Sequence, residues 1–102
     1  MNLKDYKGNT TMEKVFYIDL NEISTREGLQ EAIASALPFP DHYGKNLDAL
    51  HDSLCEFGSD WNIIFYNVRI ARMSLGKYFD ALKRLCSEAC EECAGLKIRF
   101  FS

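Results

Sequence analysis

Residues Phe39 to Leu54 read FPDHYGKNLDALHDSL, a pattern that predicts a tight turn feeding a short helix. Pro38 and Pro40 stop the helix before them and hold the next residues extended, and Gly44 permits the turn after Tyr43. Asn46 is placed to cap a helix running to about Glu56. Leu47, Leu50 and Leu54 mark one face of that helix. Asp48 and Asp52 lie one turn apart, within about 40° of each other on the opposite face. Like charges this close repel, so a cationic partner gains more from them than from scattered acids. Asp48 also has a plain structural reading, because an acid in the first turn of a helix complements its dipole. Asp52 is mid-helix, where Asp is a poor residue, and it carries the functional argument.

The neighbouring segments extend this frame. Val15–Leu20 is a short run of strand formers. Ser24 and Glu27 have capping-box spacing, and Leu29, Ala32, Ile33, Ala36 and Leu37 then repeat at helical spacing until Pro38. Phe57–Asp60 is a break. Ile63–Asn67 reads as a second strand, buried on both faces. Val68–Leu75 is ambiguous, with room for a helical turn. Gly76–Cys93 is a long helix with one apolar stripe through Tyr78, Phe79, Leu82, Leu85, Cys86, Ala89, Cys90 and Cys93, capped by Ala94-Gly95. Leu96–Phe101 closes the chain as a strand. Strands separated by helices predict an α/β fold: a three-stranded parallel sheet packed against about four helices. Residues 1–12 are expected to form a flexible tail, with Met12 an alternative start, and residues 13–102 one folded domain.

At 102 residues and 47% hydrophobic content, the chain can bury a core without disulfides or metal. No apolar stretch reaches membrane-spanning length, and the N-terminus lacks the apolar core of a secretion signal. A soluble cytoplasmic protein is expected. Fifteen acids against twelve bases argue against nucleic acid as a direct ligand, which needs surplus cations, and are permissive for a basic protein partner.

His42 and His51 beside the acids offer acid–base chemistry on a phosphodiester, or metal ligands. The metal reading lacks an obvious third group downstream, and the catalytic reading lacks a cationic cluster, since Lys45 stands alone. Exposed rim residues are the simpler assignment. Cys86, Cys90 and Cys93 have a spacing similar to the cluster ligands of radical-SAM enzymes. Those enzymes need a far larger barrel, and here the thiols fall inside the apolar stripe, where Cys behaves as a small hydrophobe. Four cysteines so distributed fit reduced thiols better than a disulfide framework. Glu88 lies on the polar side of the long helix, where Arg84 is an available ion-pair partner four residues earlier.

The stretch PDHYGKNLDALHDSL resembles the signature of the barstar family, intracellular inhibitors of microbial ribonucleases. The family's turn ends Tyr-Gly-x-Asn and leads into Leu-Asp-Ala-Leu-x-Asp. This chain has Tyr43-Gly44-Lys45-Asn46, then Leu47-Asp48-Ala49-Leu50-His51-Asp52 without a gap. The resemblance implies a three-stranded parallel sheet against helices, and an activity that occludes a nuclease cleft with acids standing in for RNA phosphates. It implies that Asp52 is the central anchoring carboxylate and Asp48 its helical neighbour. By the same resemblance Gly44 and Asn46 are loop contacts, and Glu88 is an acid contributed by the long helix. Two positions depart. His51 stands where barstar itself has an aromatic flanking the anchor, and His42 where it has the first of two tyrosines. Both remove apolar contact area and add a titrating group.

The reading that follows is a non-enzymatic inhibitor, or an immunity or antitoxin protein of a bacterium, for a basic ribonuclease or nuclease toxin. His42, Tyr43, Gly44, Asn46, Asp48, His51, Asp52 and Glu88 form its partner-binding set. No catalytic residue, cofactor, metal or membrane contact is expected. The alternatives are a barstar-like module with a non-nuclease partner and a small His-dependent phosphodiesterase.

Overall fold

A computed structural model describes residues 13–102. The expected flexible tail and the alternative start at Met12 lie outside the described residues. Seven elements follow in the order β1 (Lys14–Asp19), α1 (Arg26–Ala36), α2 (Leu47–Phe57), β2 (Trp61–Tyr66), α3 (Arg69–Leu75), α4 (Lys77–Glu92) and β3 (Lys97–Phe100). The strands form one sheet in the order β1-β2-β3, and both pairings are parallel. This is the α/β architecture that the alternation of elements predicts. The ambiguous segment after β2 is helical.

Register brings the buried apolar residues of β1 and β2 and the half-buried ones of β3 to one face. Phe16 pairs with Ile63 and Ile18 with Phe65, while Ile63 and Phe65 pair in turn with Ile98 and Phe100. The helices cover this face, and α4 lies on it with Phe79, Leu82, Cys86 and Ala89 buried. Phe65 and Phe100 stack with centroids 4.7 Å apart, and Phe79 meets Phe100 edge-on at 5.7 Å. The second strand is therefore less enclosed than expected. Its buried residues alternate with half-buried Asn62, Ile64 and Tyr66, because only one face of the sheet carries helices.

Local chemistry corrects three details. Thr25, not Ser24, caps α1, and its Oγ1 accepts from the Gly28 amide at 2.9 Å. Both residues suit a cap, and the sequence alone does not choose between adjacent hydroxyls. The long helix ends at Glu92 with Cys93 as its cap, ahead of Ala94-Gly95. The cysteine stripe is core in part: Cys86 is buried, whereas Cys90 and Cys93 are half-buried against the core, and all four cysteines are free.

Candidate functional site

The site begins with how the chain enters α2. The Tyr43 amide bonds the Pro40 carbonyl at 2.9 Å, which closes the turn. Gly44 is not the residue in the left-handed region. Lys45 is, with φ 54°. Gly44 bears on the turn in another way: a Cβ there would lie 3.1 Å from the Cβ of Ala49, a tight approach. Asn46 does cap the helix, as its position predicts. Its side-chain oxygen accepts from the Ala49 amide at 2.8 Å, and its Nδ2 donates to the Gly44 carbonyl at 3.3 Å. Both ends of the Asn46 side chain are thus occupied within the loop.

Tyr43 is 8% exposed and belongs to the core. Its ring packs on Phe39 at 4.8 Å, and its hydroxyl donates to Gln30 Oε1 at 2.6 Å. Gln30 Nε2 donates in turn to the Tyr78 hydroxyl at 3.0 Å. This chain of two hydrogen bonds joins the loop before α2 to α1 and α4. Sequence reasoning missed it, because Gln30 looks like a surface residue of an amphipathic helix. Burial holds the Tyr43 phenol above its ordinary range. Tyr43 therefore positions the loop from behind instead of standing at its rim.

On the outer side, α2 and α4 leave a groove of about 600 Å³, lined by Leu47, Asp48, His51 and Asp52 from α2 and by Ala81, Arg84, Leu85 and Glu88 from α4. Leu50 and Leu54 face the core, which turns the acids of α2 outward. The Asp52 side chain is 87% exposed, and its ion-pair contact is a long one of 3.9 Å from the adjacent His51. Among the described residues Asp48 and Glu88 make no ion pair, and Arg84 does not hold Glu88. Three carboxylates from two helices thus share one opening. Glu88 joins Asp48 and Asp52 although 36 residues separate it from Asp52.

The histidines separate. His42 is exposed on the turn and does not line the groove. His51 does, but only 31% of its side chain is exposed, and its Nε2 lies 3.2 Å from Glu92 Oε1. Cys55 and Glu92 bring two further ligand-type groups to His51 that the sequence did not reveal. Lys45 is bound to Glu31 at 3.0 Å, which leaves Arg84 as the groove's lysine- or arginine-type lining residue. A single cation among three acids is a poor phosphate cradle.

Against known families, the model described as Barstar (barnase inhibitor) matches residues 13–102. The chain belongs to the barstar family. A Bacillus subtilis (strain 168) protein named "Putative ribonuclease inhibitor YrdF" is 34% identical over 86 residues, which span 79% of this chain and 89% of the relative. The barstar-family match covers every element described above, from β1 to β3. No helix among the described residues is long and apolar enough to cross a membrane.

Proposed function

We propose that this barstar-family protein inhibits a basic ribonuclease, acting as a plug and not as an enzyme. Helix α2 and the loop before it enter the nuclease cleft, and Asp48, Asp52 and Glu88 occupy positions that RNA phosphates would take. The observation that carries the reading is the Asp52 carboxylate, outward and nearly free, in a groove shared with two further acids. Family membership and the name borne by the Bacillus relative point the same way.

The mechanism has two stages. The acidic groove raises the rate of encounter with a cationic cleft, an effect that salt screens. Docking then desolvates Asp52 against the enzyme's Arg, Lys or His⁺ groups, where charge-assisted hydrogen bonds are strong. His42, Gly44 and His51 close the rim, while Asn46 and Tyr43 keep the loop in shape. Polar histidines at the rim make barnase no more favoured than another secreted or toxin nuclease.

The test is affinity capture from the native cell, followed by titration of the captured nuclease in an RNA-hydrolysis assay. Stoichiometric inhibition that Asp52→Ala removes, with the fold intact, is expected. Inhibition at wild-type potency by that variant rejects the plug, and turnover of RNA by the purified protein rejects its non-enzymatic nature.

A further inference from the structure

His51 and Cys55 are four residues apart on α2, so both project from one face of the helix. Glu92, the last residue of α4, reaches toward them from the neighbouring helix. His51 Nε2 lies 3.2 Å from Glu92 Oε1, and Cys55 Sγ lies 3.5 Å from the same oxygen. All three donor atoms fall within 4.8 Å of one another. From these positions we propose that His51, Cys55 and Glu92 form a binding site for a zinc-class divalent cation that ties α2 to α4.

The spacing suits such an ion. Tetrahedral zinc takes nitrogen and oxygen at about 2.0–2.2 Å and sulfur at about 2.3 Å, so its ligand atoms stand roughly 3.3–3.7 Å apart. Two edges of that tetrahedron already lie close to this range. One imidazole, one thiolate and one carboxylate are a borderline-soft donor set, suited to zinc or cobalt(II) and unsuited to calcium or magnesium. Three protein ligands leave the fourth position of a tetrahedral ion to water. The bound ion replaces the Cys55 proton, which leaves to solvent, and its charge offsets the carboxylate. Neither the family likeness nor the inhibitor reading enters this argument, and the site stands or falls apart from them.

The experiment uses the full chain, stripped with a chelator and kept under a non-thiol reductant, so that thiol oxidation does not compete. It is titrated with cobalt(II) alone, then with zinc(II). The expected result is one cobalt per chain, with intense tetrahedral d–d bands and a thiolate-to-cobalt charge-transfer band, both lost when zinc displaces it. Cys55→Ser removes the charge-transfer band. His51→Ala and Glu92→Gln each weaken binding roughly tenfold or more, while Glu91→Gln on the same helix leaves it unchanged. All four positions are exposed or half-buried, and far-ultraviolet circular dichroism checks that each variant folds. An octahedral cobalt spectrum, absence of the charge-transfer band, or variants that bind as wild type overturns the site and leaves His51 and Glu92 as an ion pair only.

Discussion

Tyr43 donates its hydroxyl proton to Gln30 Oε1 across 2.6 Å, a buried side-chain pair that ties the site's loop to α1. Tyr43→Phe keeps the ring but leaves that oxygen without its partner. A buried acceptor so stranded costs about 1–3 kcal/mol. Urea unfolding should show the loss as a lower midpoint at unchanged slope. Because the loop is then held less firmly, inhibition should weaken although no contacting atom has been removed.

The same phenol predicts the response to alkali. Burial raises the folded-state pKa of Tyr43, so its neutral form is the one that the fold favours. In the unfolded chain a tyrosine ionises near its ordinary value of about 10. The unfolded state therefore releases protons first, and this contribution to stability is complete below pH about 10 and lost as pH rises beyond it. Burial of Cys86 acts in the same direction from its ordinary value of 9.0. Denaturation midpoints measured from neutral pH to pH 11 should fall in that window, and less steeply in Tyr43→Phe.

Asp52→Ala should separate function from folding. The side chain is exposed and mid-helix, where Ala is the better helix former by a few tenths of a kcal/mol, so thermal stability should hold or rise slightly. Binding to the captured nuclease should lose about 2–5 kcal/mol, mostly through faster dissociation. Surface plasmon resonance reads both rates, and a wild-type dissociation rate in this variant contradicts the anchor role.

Asp48→Asn and Glu88→Gln should act earlier in the encounter. Each removes one charge from the groove and should slow association, with a shallower dependence on ionic strength than wild type shows. Stopped-flow mixing at two or more salt concentrations gives the comparison.

Asn46→Ala removes the cap of α2 and should cost roughly 1 kcal/mol of stability, within a range of about 0.5–2. Asn46→Asp keeps the oxygen that accepts from Ala49 and should retain most of it. Ranking the two variants by thermal melting tests whether the residue acts through the helix start.

What the chain discloses without coordinates follows from how local each feature is. Element order, the Asn46 cap and the outward acids on α2 depend on neighbours within a turn or so, and periodicity reports such relations directly. The convergence of Glu88 with Asp52, and of Glu92 with His51, depends on how α4 crosses α2, which spacing does not encode. Gln30 illustrates the same limit, since its partners Tyr43 and Tyr78 lie 13 and 48 residues away. The left-handed backbone falls on Lys45 beside a glycine, while Gly44 lies where a Cβ would crowd Ala49, a steric relation invisible in the sequence.

Trp61 is the chain's single tryptophan. It is 5% exposed, with Phe39 stacked on it at 5.8 Å and Phe16 edge-on at 4.9 Å. Phe39 in turn supports Tyr43 at the root of the loop that leads into α2. The indole is thus an internal optical gauge wired to that loop but hidden from any docked partner. A change in its emission on complex formation would report the loop shifting, while silence would mean that the surface arrives already in its bound shape.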